Sequence, residues 1–195
     1  MKIVFAGGGT GGHFYPIIAV AEQIEKIVNE QKYISPELYF MSDEPWNERM
    51  LFDHSIEFIK VSAGKMRLGG GVRNIFDSFK TAIGAINAIF KMFSIYPDVV
   101  FGKGGYASFP TIFAARILHI PVLIHESDSA PGRVNKWAGH FAKKVAVSFM
   151  EAVDYFPKNT TAWTGQPIMT EIEHPAPRKE ALDYFKIESG IPVIL

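Results

Sequence analysis

The sequence predicts an α/β fold, a doubly wound parallel sheet with helices on both faces. Two observations support this prediction. Short apolar runs rich in Val, Ile and Phe alternate with longer segments whose apolar residues recur at helical spacing. The short runs are almost continuously hydrophobic, which is typical of strands that are buried on both faces of a parallel sheet. Strands and helices that alternate in this way form right-handed β–α–β units.

Six strands and five helices follow from this pattern. The strands are predicted at residues 3–5, 38–41, 58–61, 99–101, 122–125 and 145–148. The helices are predicted at residues 16–29, 73–94, 110–119, 131–142 and 179–185. We expect residues 1–164 to form one Rossmann-like domain. Residues 165–195 begin with a proline-rich stretch without apolar period, which predicts an interdomain linker and, at 191–195, the first strand of a truncated second domain.

The composition excludes several classes of protein. The 20 basic and 20 acidic residues leave no net charge, so no global field attracts nucleic acid. The chain has no cysteine, which excludes disulfides and zinc–thiolate sites. No Asp-x-Asp motif stands at the predicted site, and we expect neither a metal nor a cofactor. No stretch approaches the ~20 apolar residues that span a bilayer, so any membrane contact is expected to be peripheral.

Three strand ends share one local pattern. Each leads through a glycine-rich or polar loop to a proline, which we place in the first turn of the next helix because its missing N–H would be unpaired there anyway. The three segments are IVFAGGGTGGHFYP, VVFGKGGYASFP and LIHESDSAP. In open α/β sheets, ligands bind outside the carboxyl ends of the strands. These three loops therefore predict the binding site.

The first loop, residues 7–13, is suited to bind phosphate. Its glycines let the backbone come close to a ligand, and the next helix points free amides and the positive end of its dipole at the loop. Gly7, Gly9 and Gly12 also match the G-x-G-x-x-G fingerprint of dinucleotide-binding proteins. That fingerprint requires an acidic residue ~20 positions later, and only Asp43, which lies further on, is near the second strand end. A nicotinamide-dependent oxidoreductase is therefore an alternative hypothesis.

The second loop, residues 102–106, has the sequence GKGGY. Two glycine loops at one sheet edge, each leading into a helix, are suited to hold a diphosphate between them. The roles of two side chains stay open. Lys103 is either solvated or a ligand contact, and Tyr106 either packs at the rim or contacts the ligand.

Candidate proton-transfer residues lie in the first and third loops. His13 stands at the mouth of the first loop and can accept a proton from a hydroxyl near neutral pH, although it would also suit the lining of a turn. His125 ends a buried strand, which favours a structural histidine. Glu126 is placed to bind a ligand hydroxyl or to hold a neighbouring group. Asp128 lies at the ligand edge, and Ser129 suits the N-cap of the next helix.

Longer versions of the three segments resemble the N-terminal motifs of one enzyme family. The segments are MKIVFAGGGTGGHFYPIIAVA, DVVFGKGGYASFP and IPVLIHESDSAPGRVNKWA. They are similar, in order and spacing over residues 1–170, to the undecaprenyl-diphospho-muramoylpentapeptide N-acetylglucosaminyltransferases of glycosyltransferase family 28. The resemblance implies the acceptor-binding N-terminal half of a two-domain GT-B enzyme. It also implies inverting transfer of N-acetylglucosamine from UDP-N-acetylglucosamine to the lipid-linked muramoyl-pentapeptide, a step of peptidoglycan synthesis and hence of cell wall biogenesis, cell shape and cell division.

The same resemblance assigns roles to individual residues. It makes His13 the best candidate for the base, and the proton is expected to be handled by His13, by Glu126 or by both. Donor contacts are implied for Thr10, Gly11, Gly12 and Asp128. Contacts with the acceptor diphosphate are implied for Gly8, Gly9, Gly104, Gly105 and Tyr106. Many family members carry Asn in place of Asp128 and Arg in place of Met169, so the donor contacts at these two positions are expected to differ.

A lipid-linked acceptor implies work at the cytoplasmic face of the bacterial plasma membrane. The predicted membrane contacts are Ile75, Phe76, Phe79 and Lys80, which follow a basic and apolar stretch at residues 65–73. Each basic residue near an anionic surface contributes about 1 kcal/mol. The alternative is a core-facing helix, because Val72, Ile75, Phe79, Ile83, Ile86 and Phe90 recur at helical spacing.

Two further expectations concern the chain as a whole. The family binds its donor mainly through the C-terminal domain, so we expect no turnover by this chain alone. A third hypothesis is a non-catalytic glycan- or nucleotide-binding module, the accessory half of a split glycosyltransferase. A partner chain that carries the C-terminal domain would support that hypothesis.

Overall fold

The computed structural model describes residues 1–65 and 71–187, in which strands and helices alternate as the sequence predicts. The strands are β1 (Lys2–Ala6), β2 (Glu37–Ser42), β3 (Ile56–Lys60), β4 (Val99–Gly102), β5 (Val122–Glu126), β6 (Lys144–Val147) and β7 (Thr161–Trp163). The helices are α1 (Gly11–Gln31), α2 (Glu48–Asp53), α3 (Val72–Ile95), α4 (Phe109–Ile117), α5 (Arg133–Ala138), α6 (Thr170–Glu173) and α7 (Arg178–Phe185). The predicted α/β class is confirmed.

All seven strands form one parallel sheet in the order β3-β2-β1-β4-β5-β6-β7. The chain runs outward from β1 to β3, crosses back through α3, and runs outward again from β4. The strand order therefore reverses between β1 and β4, where Ala6 pairs with Gly102. A reversal of this kind opens a crevice at the carboxyl edge of the sheet, because the loops after the two central strands leave in opposite directions. The two glycine loops follow these two strands.

The core consists of two layers, one on each face of the sheet. On β1, Val4 belongs to the layer under α3, α4 and α5, and Phe5 to the layer under α1. Successive residues of a strand point to opposite faces, so an unbroken apolar run fills both layers. This packing on both faces fixes the carboxyl ends of β1 and β4. The loops that follow these strands therefore start from fixed positions.

Helix α1 differs from the prediction at its beginning. It starts at Gly11, so Pro16 lies in its second turn and not in the first turn. The last residues of the glycine-rich loop, from Gly11 on, form the start of the helix. The sequence did not predict this, because a glycine-rich stretch is typical of a loop. Pro110 does stand in the first turn of α4. Helix α5 is shorter than predicted and begins after Gly132, and no side chain caps it, so the expected N-cap at Ser129 is wrong.

Helix α3 has two opposite apolar faces. The face toward the sheet contains Gly84, Ala85, Ala88 and Met92, which are buried. A Cβ atom on Gly84 would lie 1.7 Å from the carbonyl oxygen of Ser62, so the helix packs closely on the chain after β3. The bulky apolar side chains point the other way, between 57% and 71% exposed. They are Ile75, Phe76, Phe79, Ile83, Ile86, Phe90 and Phe93. The alternative of a core-facing stripe is therefore wrong for these residues.

The segment after β7 packs on the domain before it. Met169 is buried in the α1 layer of the core, and the backbone N–H of Thr170 donates to the Glu22 carboxylate at 2.9 Å. The predicted helix at 179–185 is present as α7, and α2, α6 and β7 were not predicted. The predicted strand at 191–195 lies outside the described residues. The division into domains at residue 164 stays a prediction.

Candidate active site

One cavity of about 890 Å³ opens at the reversal point of the sheet. Its lining comes from all three predicted loops and from two helices beside them. The first loop contributes Thr10 and His13, the second Lys103 and Tyr106, and the third Glu126 and its neighbours. Helix α5 forms one wall and α3 another. Loops that are separated by about a hundred residues in the chain thus meet because the strands that carry them are neighbours.

His13 lies in the first turn of α1 and is half-buried at the cavity wall. Its Nδ1 atom and the Thr10 hydroxyl oxygen are 2.7 Å apart, and this contact leaves the helix without a side-chain cap. When Nδ1–H donates to Thr10, the Nε2 atom keeps a free lone pair. Burial lowers the pKa of His13 below 6.5, and the Lys103 charge lowers it further, against smaller opposite effects of Glu126 and Asp128. The imidazole is therefore neutral at pH 7 and able to accept a proton.

The two glycine loops are packed against each other. Gly9 has a φ of +81°, and a Cβ atom there would lie 2.5 Å from the Tyr106 ring. Gly105 has a φ of +79°, and a Cβ atom there would lie 2.8 Å from the carbonyl oxygen of Gly8 and 3.2 Å from the His13 ring. Both positions require glycine because of their backbone conformation and because the opposite loop is so close.

Tyr106 joins the second loop to the end of β2. Its hydroxyl donates to the Asp43 carboxylate at 2.8 Å, and the ring lies over the first loop. Asp43 is the acidic residue on which the dinucleotide-binding alternative depends. Its carboxylate is already a partner of protein groups, since the Ser42 hydroxyl also donates to it at 3.3 Å. This geometry counts against a ribose-binding role.

Glu126 ends β5 and is 4% exposed. Its carboxylate accepts three hydrogen bonds, each 3.0 Å long, from the N–H of Asp128, the N–H of Gly132 and the side-chain amide of Asn135. These donors lie at both ends of the third loop and on α5. The carboxylate therefore fixes the course of the loop between β5 and α5, and the Asp128 side chain that this loop carries is exposed.

Lys103 is the first residue after β4, and it is 1% exposed. Its side chain lies inside the crevice, where Nζ donates to the Ser127 hydroxyl. Burial lowers the pKa of Lys103 to about 8, against the opposite effects of Glu126 and Asp128. The open question about Lys103 is thus answered in part, because it is not a solvated surface lysine.

His125 is a buried residue under the third loop, as its position predicts. Its Nε2 atom lies 3.0 Å from the carbonyl oxygen of Gly165, to which it donates. Its Nδ1 atom has no hydrogen-bond partner among the described residues. Burial lowers the pKa of His125 to about 4, so the ring is neutral. Gln166, the residue after Gly165, adds two hydrogen bonds beside the one between His125 and Gly165. Its side-chain oxygen accepts from the hydroxyls of Ser127 and Ser148, each at 2.7 Å.

The structure brings together many of the predicted site residues, but not all of them line the cavity. Those that do are Thr10, Gly12, His13, Gly105, Tyr106, Glu126 and Asp128. The predicted residues outside the described lining are Gly8, Gly9, Gly11 and Gly104. A Cβ atom added to any of these glycines would lie 3.0 Å or less from another protein atom, as on Gly104, where it would lie 2.8 Å from the Asn135 amide. Among the lining residues that the sequence did not single out are Ser78 and Thr81 of α3 and Asn135 and Trp137 of α5.

Asn135 illustrates what the sequence hides. It is buried, and its amide donates to the carbonyl oxygen of His125 as well as to Glu126, both at 3.0 Å. Its side-chain oxygen has no partner within the part of the chain that the structure describes. Asn135 is the third residue of α5, whose sequence is RVNKWA, and nothing in that sequence distinguishes it from the exposed Arg133 and Lys136. Within residues 1–65 and 71–187, no group of three or more His, Asp or Glu side chains is arranged to hold a metal ion.

The predicted membrane contacts lie beside the cavity. Ile75, Phe76 and Phe79 point outward from α3, and Lys80 on the same helix is exposed. Ser78 and Thr81 of the same helix line the cavity. The mouth of the cavity and the apolar face of α3 are thus neighbours. No described helix is long and apolar enough to cross a membrane.

Comparison with known proteins gives closely related sequences. A UDP-N-acetylglucosamine–N-acetylmuramyl-(pentapeptide) pyrophosphoryl-undecaprenol N-acetylglucosamine transferase of Lachnospira eligens is 36% identical over 194 residues, 100% of this chain and 53% of that protein. The enzyme of the same name numbered 2 in Bacillus anthracis is 33% identical over 193 residues, 99% of this chain and 53% of that protein. The chain spans about half the length of the curated relatives it matches.

Solved structures share the fold. The crystal structure of Acinetobacter baumannii MurG superposes with a TM-score of 0.65 at 28% identity, over 89% of this chain and 47% of that chain. The S. aureus MnaA–UDP structure has the same TM-score of 0.65 at 13% identity, which shows a shared fold alone. Residues 3–147 match the model of one protein family, and they include all three loops of the cavity. This chain therefore belongs to the glycosyltransferase family 28 N-terminal domain family.

Proposed function

We propose that this chain is the acceptor-binding half of an inverting N-acetylglucosaminyltransferase that uses UDP-N-acetylglucosamine and a lipid-linked muramoyl-pentapeptide diphosphate. The single observation that carries the proposal is the meeting of both glycine loops and His13 at one cavity. The curated relatives are named for this reaction. Activity in peptidoglycan synthesis is itself part of the proposal, because this chain spans about half the length of these relatives.

His13 is the proposed general base. In the reaction, a hydroxyl of the muramoyl sugar attacks the anomeric carbon of N-acetylglucosamine while the bond to UDP breaks. The hydroxyl proton passes to Nε2 of a neutral imidazole, whose Nδ1–H donates to Thr10. The lowered pKa supports this role, because a ring that is neutral at pH 7 keeps one nitrogen unprotonated and able to accept a proton.

The other site residues divide between binding and positioning. Thr10, Gly11, Gly12 and Asp128 are proposed to face the donor, and Gly8, Gly9, Gly104, Gly105 and Tyr106 to form the acceptor diphosphate site. Glu126 was a second candidate for proton transfer. Its carboxylate already accepts three hydrogen bonds from the protein, which favours a positioning role. Met169 packs in the core, so the donor contact that an arginine makes at this position in other family members is not expected here.

Binding and transfer test the proposal separately. Calorimetry with a short-chain analogue of the lipid-linked acceptor is expected to show binding to this chain. Transfer of labelled N-acetylglucosamine is then measured in a protein that joins this chain to the carboxyl-terminal half of a relative. His13→Ala should lower transfer by about 10²-fold or more, because a general base contributes that much. The control His140→Ala removes an exposed histidine and should leave transfer unchanged.

The outcomes distinguish the hypotheses. Failure of the wild-type chain to bind the acceptor analogue would contradict the acceptor-binding assignment. Acceptor binding without transfer by the joined protein would support the accessory binding module. Full transfer by His13→Ala would move the base elsewhere. Binding of a nicotinamide nucleotide is not expected, because Tyr106 holds the Asp43 carboxylate.

Contact with the membrane surface is a second part of the proposal. The exposed apolar face of α3 lies next to the cavity, with Lys80 on the same helix. Partial insertion of Ile75, Phe76 and Phe79 would remove apolar area from water and bring the cavity to a lipid-linked substrate. The proposed location is the cytoplasmic face of the plasma membrane. No part of the site requires nucleic acid.

Flotation with vesicles that contain anionic lipid tests this contact. The double variant Phe76→Asp and Phe79→Asp should lose most of the binding at low salt, because it adds two charges to the inserted face. Phe52→Asp is the control, since Phe52 is a phenylalanine on α2 that is exposed to a similar degree. Binding that survives the double variant, or that is lost equally in the control, would refute the assignment to α3.

A further inference from the structure

A buried lysine lines the crevice, and among residues 1–65 and 71–187 it has no ion-pair partner. The backbone N–H of Lys103 donates to the carbonyl oxygen of Ala6 at 2.8 Å, which fixes the residue between β4 and β1. Its side chain lines the cavity together with His13 and Glu126. Since it is 1% exposed, its ammonium group has lost nearly all contact with bulk water.

The hydrogen bonds of the ammonium group are incomplete. A lysine has three donors, and within residues 1–65 and 71–187 the only acceptor of Nζ is the Ser127 hydroxyl. No carboxylate oxygen of these residues lies within 4.0 Å of Nζ, although Glu126 and Asp128 act on its charge from further away. A buried charge without an ion pair is destabilising, and ionisable groups in such surroundings cluster at functional sites.

The position of Lys103 indicates which ligand would complete these bonds. The side chain extends from the second glycine loop toward Ser127 of the third loop. The first glycine loop, which lines the same cavity, leads into the 21-residue helix α1. The amino-terminal end of this helix has no side-chain cap, and Thr10 and Gly12 from it line the same cavity. A helix amino terminus and an ammonium group that face one space favour a multiply charged anion with several acceptor oxygens.

We propose that Lys103 is a substrate-binding residue whose ammonium group donates to an oxygen of a substrate diphosphate in the crevice that the three loops line. This inference rests on the proposed function and adds a cationic contact to it. Both proposed substrates carry a diphosphate, so in either case a phosphate oxygen would accept the hydrogen bond. The charge of Lys103 also acts on His13, so the anion that neutralises it makes the His13 imidazole a stronger base when substrate is bound.

Calorimetry on Lys103→Met tests the contact. Methionine keeps the length of the buried side chain and removes the charge. Affinity for the substrate that contacts Lys103 should fall about 10- to 100-fold, because a hydrogen bond to a charged group is lost. The two probes are the short-chain acceptor analogue and UDP-N-acetylglucosamine. A loss for one probe alone identifies the source of the diphosphate. Lys136→Met is the matched control, because Lys136 is an exposed lysine on α5.

A measurement on the unaltered protein makes the test independent of folding in the variant. The ¹³Cε chemical shift of Lys103 is followed against pH by NMR, first in the ligand-free protein, then with saturating acceptor analogue, and then with saturating UDP-N-acetylglucosamine. A bound diphosphate should raise the pKa of Lys103 above the value of about 8 that burial gives it in the ligand-free protein. An unchanged titration in the presence of bound acceptor and bound donor would overturn the inference.

The two proposals fail in different ways. If the wild-type chain binds neither probe, the proposed function is wrong. If the wild-type chain binds a probe and Lys103→Met binds it equally well, the role of Lys103 is wrong while the proposed function stands. A pKa of His13 that does not rise in Lys103→Met would contradict the electrostatic link between the two side chains.

Discussion

Glu126→Gln separates a positioning role of this carboxylate from a role in proton transfer. In the structure, Oε2 accepts from Gly132 and Asn135, and Oε1 accepts from Asp128. The amide of glutamine can keep the first two bonds with its oxygen. Its NH₂ group then faces the N–H of Asp128, so two donors meet where a charged acceptor stood. A lost hydrogen bond to a charged group lowers the free energy of unfolding by about 1.5–3 kcal/mol.

Urea unfolding of the isolated chain measures this loss. Glu151→Gln removes an exposed carboxylate and should change the free energy of unfolding by less than about 0.5 kcal/mol. A Glu126→Gln variant as stable as this control would refute the positioning role. If it were also inactive in transfer, when joined to a carboxyl-terminal half, the carboxylate would instead be required for the reaction itself.

Three further predictions concern pH and backbone geometry. Transfer should decline as pH falls below 6.5, because a lowered His13 pKa keeps the base neutral above that value; a pH–rate profile checks this, and a decline already above pH 7 would contradict it. Unfolding should become easier between pH 6.5 and about 4, because the buried His125 resists a proton that the unfolded chain accepts. The free energy of unfolding should fall by about 3 kcal/mol over this range, at about 1.4 kcal/mol per pH unit. Urea unfolding of His125→Gln across the same range should show a correspondingly weaker dependence on pH. Gly105→Ala should destabilise the chain by about 1–3 kcal/mol in thermal or urea unfolding, since φ is +79° and the new Cβ would lie 2.8 Å from the carbonyl oxygen of Gly8. Gly132→Ala, at a position with no atom within 4 Å of the added Cβ and a φ of −62°, is its control and should have little effect.

The strands and the site loops were predictable because their signal is local. A continuous apolar run such as residues 3–5 fits a strand buried on both faces, and glycine clusters after two such runs mark the carboxyl edge of a sheet. The sequence alone therefore locates the three loops and His13. The lengths of short elements were less predictable, and the three-residue β7 is held by pairing with β6 more than by its own sequence.

Helix α3 shows where periodicity fails. Its bulky apolar residues recur at helical spacing, which establishes a face but not what covers that face. The face that packs on the sheet consists of Gly84, Ala85, Ala88 and Met92, since small side chains allow the close approach to Ser62. The larger apolar residues of α3 lie on the opposite, exposed face. Only the packed structure shows which of the two apolar faces is exposed.

The sequence by itself determined the fold class, the three loops and the family. The tertiary structure alone decided the environment of each side chain. Lys103 is buried because β1 and β4 are neighbours, and Glu126 holds the third loop because three donors converge on it. Burial, pKa and hydrogen bonding depend on atoms that are distant in the chain, whereas strand formation and glycine turns depend on residues that are adjacent in it.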